Sequence, residues 1–434
     1  MNPSTSSSAA RRRYLFTLVD GGGTVPPELG TVRRLTERGH DVTVLAEDTM
    51  ADEVLATGAR FIRWSTAPNR PTRLPDDDPY RDWECRSTMK LFDRLLDLQF
   101  AGPVARYAAD VTAAINDQQP DLVVCTMFTP GAMLAAEAAG VPFDIVFPNI
   151  YMLPAPGLPP IGLGLQPARS AVGRARDRIV QKVADRSWDK GLDRLNAVRA
   201  QYGLEPLDRF WAQADRAHRH VVLTSRAFDF PGQVPANVRY VGAVLDDPAW
   251  SSGVDAWTPP AGDDPIVLVA LSSTFQDQGD CVRRVIDAVG SLPVRAIVTT
   301  GPALDPSGFD APPNVEVRRS APHSTVLLHA AAVVTHGGHG TVIKSLAAGV
   351  PLVILPHGRD QADNAARVVA RGAGVKVAKD AKAKVIAAAI SEVLADDGYR
   401  KAACALGEII RTDASSGAVT DELEDVPMAC PSPS

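Results

Sequence analysis

Short apolar runs alternate along this chain with longer stretches in which apolar residues recur every three or four positions. Tyr14 to Val19, Asp41 to Ala46, Arg60 to Trp64, Asp121 to Cys125, Phe143 to Pro148, Val221 to Thr224 and Arg239 to Val241 read as strands. Helical periodicity fills the gaps. Glu28 to Arg38 places Leu29, Val32 and Leu35 on one face and ends at Gly39, a helix stop. Glu84 to Asn116, Pro130 to Ala139 and Ser170 to Tyr202 follow the same pattern. Strand, helix, strand in succession predicts a parallel sheet. A second series of the same kind runs through Ile266 to Leu271, Arg295 to Thr299, Val315 to Arg318, Ala332 to Thr335, Leu352 to Leu355 and Val375 to Val377. The fold class is therefore α/β, with two Rossmann-like doubly wound domains facing each other across a cleft. The expected divisions are a disordered start over 1–12, a first domain over 13–243, a linker over 244–265, a second domain over 266–424 and a tail over 425–434. The linker stands out because residues 245–265 hold five Asp and four Pro and few aliphatics.

One stretch of the second series carries chemistry. The apolar run Ala330 to Val334 leads into Thr335-His336-Gly337-Gly338-His339-Gly340-Thr341, and a helical pattern follows from Val342 to Ala348. A glycine-rich turn between strand and helix aims free backbone N–H groups and the positive end of the helix at one point, where an anion binds well. Thr341 adds a hydroxyl, and His336 an imidazole able to donate to an oxyanion. An ordinary tight turn has the same glycines. A second unit follows directly, in which Leu352 to Leu355 runs into Pro356-His357-Gly358-Arg359-Asp360-Gln361. Loops leaving neighbouring parallel strands build a crevice at the carboxyl ends of those strands.

Composition narrows the picture. The 434 residues are 45 % hydrophobic and 22 % charged, enough for a core without metal or disulfide staples. A net charge of −6 argues against a nucleic-acid partner, which needs a basic face. The five cysteines are scattered and form no CxxC, the usage expected of reduced thiols in a cytoplasmic protein. No apolar run reaches membrane-spanning length, so membrane insertion is not expected. Arg11-Arg12-Arg13 before Tyr14 to Val19 imitates a signal peptide, but the run is short and ends at Asp20-Gly21-Gly22-Gly23, so it reads as a first buried strand.

The segment from Ala321-Pro322-His323 through residues 335–341 to Asp360-Gln361 resembles the donor-binding box of nucleotide-sugar-dependent glycosyltransferases of the GT-B fold, above all the bacterial members that glycosylate natural products. Gly23-Thr24-Val25-Pro26-Pro27, Arg38-Gly39-His40-Asp41-Val42-Thr43 and Gly140-Val141-Pro142 fit the same family, so the likeness runs over most of the chain. It implies that His336 meets the donor diphosphate, that the backbone of Gly338, His339, Gly340 and Thr341 and the Thr341 hydroxyl complete that site, and that Asp360 and Gln361 hold sugar hydroxyls. It also implies that Ala321 and His323 pass beside the base, that Ser273 and Thr274 add hydroxyls near the phosphates, and that His357 reaches the donor. Neither metal nor other cofactor is implied; the nucleotide-diphosphate sugar is a co-substrate.

Three positions depart from the family pattern. The usual general-base His is replaced by Thr24, its supporting Asp by Thr126, and a ribose-binding Glu by Lys344. A threonine hydroxyl has no pKa near neutrality and cannot be the base. Asp20, the nearest carboxylate, is the candidate replacement, its pKa rising if it is desolvated; a turn-forming Asp before glycines is the other reading. Loss of the Glu tilts the donor towards dTDP-sugars over UDP-sugars. Met89, Phe92, Phe128, Tyr151 and Met152 are candidates for an apolar acceptor pocket, or equally for plain core. The resulting expectation is an inverting hexosyltransferase acting on a hydrophobic small molecule such as a polyketide or aromatic aglycone, as a monomer or homodimer. A catalytically impaired nucleotide-sugar-binding partner and a nucleotide-sugar epimerase are the alternatives.

Overall fold

The computed structural model describes residues 10–85, 87–247, 257–271 and 274–427. Most of the predicted tails, much of the predicted linker, and Ser273 lie outside the described residues. The first sheet consists of β1 (Arg13–Thr17), β2 (Asp41–Ala46), β3 (Arg60–Arg63), β4 (Leu122–Thr126), β5 (Phe143–Phe147), β6 (Arg219–Val222) and β7 (Val238–Tyr240). Its order is β3-β2-β1-β4-β5-β6-β7, parallel throughout. The second consists of β8 (Ile266–Ala270), β9 (Arg295–Thr299), β10 (Val315–Arg318), β11 (Ala330–Thr335), β12 (Leu352–Ile354) and β13 (Gly374–Lys376). Its order is β10-β9-β8-β11-β12-β13, again all parallel.

Helices cover both faces of a parallel sheet, so its central strands are apolar on both sides. Every residue of β4, β5, β8 and β12 is buried. In each sheet the strand order reverses direction once, between β1 and β4 and between β8 and β11. At such a point the loops leaving two adjacent strands diverge and open a crevice. The loop after β1 carries Asp20 to Thr24, and the loop after β11 carries His336 to Gly338. The two crevices meet: the Gly23 carbonyl oxygen lies 3.9 Å from the point where a Cβ on Gly340 would sit.

The expected elements appear with small changes of boundary. The first helix runs Val25–Glu37 and starts a turn earlier than predicted, because Pro26 and Pro27 occupy its first turn, where a missing N–H costs nothing. Gly39 ends it with φ +89°. The helical region after residue 84 splits into Thr88–Leu95, a π turn over Leu96–Phe100 and Val104–Gln118. The chain turns there at Gly102, where any Cβ would lie 1.8 Å from the Asp97 carbonyl oxygen.

The domain boundary is more involved than the sequence predicts. The last helix, Ala418–Glu424, returns to the first domain. Its Val419 and Leu423 join the core formed by Tyr14, Phe16, Val32 and Leu35, and the Tyr14 hydroxyl donates to the Leu423 carbonyl at 3.1 Å. Charged residues complete the seam: Arg38 pairs with Asp421 and Glu424, and His40 with Glu424. The second domain as an independent body therefore ends before this helix. Among the described residues no helix is long and apolar enough to cross a membrane.

A buried ion pair ties the domains. Arg367 donates from Nε to Asp229 Oδ1 at 2.8 Å, and neither side chain is exposed. Asp229 also accepts from the Tyr151 amide and the Tyr240 hydroxyl. These donors satisfy the Asp229 oxygens, as a buried pair needs, while Arg367 Nη2 makes the ion-pair contact alone.

Candidate functional site

The second-domain crevice is built from backbone. The helix His339–Ala347 has Gly338 as its N-cap and no capping side chain, which leaves its first amides available to an incoming anion. Gly337 has φ +96°, a left-handed conformation in which a side chain would strike Ile354 and Gln361. A Cβ on Gly338 would come within 2.6 Å of His336 Nε2, so this glycine lets the imidazole lie back over the turn. Burial holds the His336 pKa down to about 3, with His357 and Arg359 adding to the effect. The ring is thus neutral at physiological pH and acts as a hydrogen-bonding dipole, not a cation. Thr341 stands in the first turn of the same helix.

The loop after β12 closes the other side. Asp360 Oδ2 accepts from Asn364 at 2.9 Å and from Asn149, across the cleft, at 3.3 Å. Burial raises its pKa, while those two amides counteract the rise. Gln361 is buried and folds its carboxamide inward, where Oε1 accepts from the amides of His357 and Gly358 at 2.7 and 3.1 Å. Its Nε2 donates to Gln276 at 3.1 Å, so Gln361 fixes the loop that presents Asp360. His357 spends Nδ1 on the Leu355 carbonyl at 2.8 Å. Arg359 reaches Asp82 of the first domain at 2.6 Å and Thr274 at 3.1 Å.

Other predicted donor residues are placed as follows. Ala321 is buried in the second-domain core. His323 is hydrogen-bonded to Thr299 at 3.3 Å, and burial lowers its pKa to about 4. His339 lends the crevice its backbone and not its ring. Although it follows the phosphate turn, its ring is buried against Phe228 and bonded through Nε2 to Thr224 at 2.9 Å, both in the first domain. Its first-turn backbone serves the crevice, while its side chain packs the domain contact. Lys344, at the ribose-Glu position, pairs with Asp247 at 2.9 Å. Asp247 also accepts from the Ser324 amide at 3.3 Å.

On the facing wall, Asp20 does not have the expected raised pKa. Although burial pushes it up, Arg73 and Arg70 more than offset the effect and hold the carboxyl below the usual value. Arg73 Nε lies 2.5 Å from Oδ2, and the Gly22 amide donates to Oδ1 at 2.9 Å. Asp20 is thus a fixed anion that shapes the loop. Beside it opens a pocket lined by Asp20, Glu53, Arg70, Arg73, Thr274 and Phe275. Thr24 and Thr126 hold buried hydroxyls without hydrogen-bond partners.

Of the proposed acceptor residues, Tyr151 belongs to the first-domain core and Phe92, Phe128 and Met152 pack part-buried against that same core. Tyr151 is 1 % exposed, with its hydroxyl on His220 at 3.2 Å. Phe92 packs edge-on against Trp188 at 4.5 Å, and Phe128 tilts against Phe100 at 6.1 Å. Met89 is 46 % exposed, and Met152 is half-buried between the cores of the two domains.

Comparison with known proteins decides what this architecture belongs to. Residues 204–414 match the family described as UDP-glucoronosyl and UDP-glucosyl transferase. Residues 22–188 match a Glycosyl transferase 4-like domain. The chain is 30 % identical over 373 residues to the oleandomycin glycosyltransferase of Streptomyces antibioticus, covering 82 % of this chain and 77 % of that one. It is also 29 % identical over 383 residues to the 4'-demethylrebeccamycin synthase of Lentzea aerocolonigenes, covering 85 % and 88 %. The chain belongs to the GT-B natural-product glycosyltransferases. A solved calicheamicin glycosyltransferase superposes with a TM-score of 0.74 at 25 % identity, covering 96 % of this chain and 98 % of that one.

In a GT-B glycosyltransferase acting on nucleotide sugars, both walls of the cleft matter, and sequence reading missed part of the first. Arg70 and Arg73 sit in a proline- and aspartate-rich stretch without apolar periodicity. Glu28 sits on a helix face read as apolar. Its spacing of four from Thr24 was the available signal, since residues four apart share a helix face.

Proposed function

We propose that this glycosyltransferase moves a hexose from a dTDP- or UDP-linked donor to a hydrophobic small-molecule acceptor, a polyketide or aromatic aglycone, with inversion at the anomeric carbon. The observation that supports this reading most is the second-domain crevice: an uncapped helix N-terminus, a neutral His336 over Gly338, and Asp360 held opposite by Asn149 and Asn364. The donor diphosphate lies over the amides of Gly338 to Thr341. Charge that develops on it as the sugar leaves is met by those amides, the helix dipole and the His336 N–H, an arrangement worth roughly 3–4 kcal/mol at the barrier per well-placed donor. Asp360 accepts from sugar hydroxyls on the acceptor-facing side. Lys344 spends its charge on Asp247, leaving no glutamate at that position for a ribose 2′-hydroxyl, which favours the deoxyribose of dTDP.

Incubation with dTDP-glucose and UDP-glucose, each α-linked, and a panel of phenolic and macrolide aglycones tests the reading. A β-glycoside, identified by the coupling constant of its anomeric proton, is the expected product. An α-glycoside contradicts inversion, and release of an isomerised nucleotide sugar with no acceptor present contradicts transfer.

A further inference from the structure

The family's histidine–aspartate pair is replaced here by two threonines, yet the fold has buried a carboxylate beside them. Glu28, in the first turn of the helix Val25–Glu37, is 1 % exposed, and neither carboxyl oxygen has a hydrogen-bond partner. The Thr126 hydroxyl, at the end of β4, lies beside the carboxyl without closing a well-formed hydrogen bond. Thr24, one helical turn before Glu28, also has an unpartnered buried hydroxyl. The neighbouring pair Thr17 and Thr129 satisfy each other at 3.3 Å. The Thr126 hydroxyl thus stands beside the Glu28 carboxyl and Thr24 one helical turn before it, all three without partners, and Thr24 follows Gly23, which meets Gly340 of the opposite crevice. A buried carboxylate without a partner is costly and is kept where something absent from the resting protein completes it.

Resting on the proposed transfer reaction, we propose that Glu28 takes up the acceptor's proton through the Thr24 hydroxyl, in the role that the family's histidine–aspartate pair fills elsewhere. The acceptor O–H gives its proton to Thr24 Oγ1 as Thr24 gives its own to the Glu28 carboxylate. The acceptor oxygen's electron pair forms the bond to the anomeric carbon. The bond from that carbon to the diphosphate breaks, and its electron pair leaves on the nucleoside diphosphate. Glu28 then returns the proton to solvent. Burial, together with the charge of Asp20, sets the Glu28 pKa at about 8. Asp20 is the charged group facing it among the described residues and is itself held by Arg70 and Arg73.

The test uses wild type, Glu28→Gln and Thr24→Val with dTDP-glucose, a naphthol and the matching naphthalenemethanol, acceptors of similar shape and different acidity. E28Q is expected to lose about a hundredfold or more in kcat on the alcohol and under tenfold on the naphthol, which needs less help to ionise. Wild-type kcat/KM on the alcohol rises with pH to about 8, and E28Q lacks that rise. T24V shows the same selective loss. A melting-temperature shift with dTDP, retained by both variants, shows that they fold and hold the donor. Equal losses on both acceptors, or an unchanged pH rise in E28Q, overturn the proton route while leaving the donor reading intact. A wild type that binds dTDP and transfers to neither acceptor overturns it as well. Failure of dTDP and UDP to shift the wild-type melting temperature overturns the donor reading instead.

Discussion

Asn149, on the loop after β5 of the first domain, donates to the Asp360 carboxylate of the second at 3.3 Å. The Asp360 carboxylate is thus oriented by a residue from the opposite wall, which on the proposed reading makes donor binding and domain closure parts of one event. Asn149→Ala leaves Asp360 with Asn364 alone. A KM for the nucleotide sugar raised by about tenfold is expected, the value of a lost hydrogen bond to a charged group, with the affinity for free dTDP unchanged. Isothermal titration with dTDP beside steady-state kinetics separates the two.

Asp360→Ala removes the group itself. The expected loss is about 10–100-fold in kcat/KM, again with dTDP binding retained, because in the proposed arrangement Asp360 meets the sugar and not the nucleotide. Parallel loss of dTDP affinity contradicts the assignment of Asp360 to the sugar.

Asp20→Asn tests the role the structure gives this residue. Its carboxylate anchors Arg73 and Arg70 and is already ionised. The substitution is expected to lower the melting temperature, in line with the loss of about 3 kcal/mol when one partner of a buried pair is removed. The shape of the pH–rate profile stays the same. Loss of the rise on the acidic side contradicts this and restores Asp20 as the base.

Two buried groups give stability opposite pH signs. His339 has its pKa lowered from 6.5 to about 4, chiefly by burial. The fold holds the neutral ring, so this contribution is present above pH 6.5 and is lost as pH falls from 6.5 to about 4, at roughly 1.4 kcal/mol per pH unit. Glu28 has its pKa raised from 4.5 to about 8 by burial. The fold holds the protonated carboxyl, so that contribution is present below pH 4.5 and is lost as pH rises to about 8. Thermal melts should show H339Q gaining on wild type as the buffer is made more acidic from pH 6.5, and E28Q gaining as it is made more basic from pH 4.5. Parallel melting curves across that range contradict both assignments.

Much of this architecture is legible in the chain because local signals and the fold agree. The apolar runs at Arg295–Thr299 and Val315–Arg318 are strands with the predicted ends, and the glycine turn after Thr335 makes the expected anion-receptive helix start. What the sequence hides are contacts made at long range. Nothing near residue 418 announces that Val419 and Leu423 pack beside Tyr14 and Leu35. His339 stands in the motif, yet Thr224, far away in sequence, claims its ring. Tyr151 reads equally as a pocket aromatic or as core until His220 is seen against its hydroxyl. Asp20 looks like a group free to titrate until Arg70 and Arg73, from a stretch without periodicity, are seen around it. In each case the partner comes from another element, and side-chain spacing along one element carries no information about it.

The central claim is that the crevice of His336 and Gly338 to Thr341 holds the diphosphate of a nucleotide sugar. The most direct measurement is the melting temperature of wild type and His336→Ala with dTDP, UDP, GDP and ADP in parallel. A ligand that binds only the folded state at a hundred times its Kd adds about 2.7 kcal/mol. The account predicts a rise of several degrees for wild type with dTDP, a smaller one with UDP and none with GDP or ADP, and a much reduced response in H336A. No rise with any of the four, or an undiminished one in H336A, contradicts it.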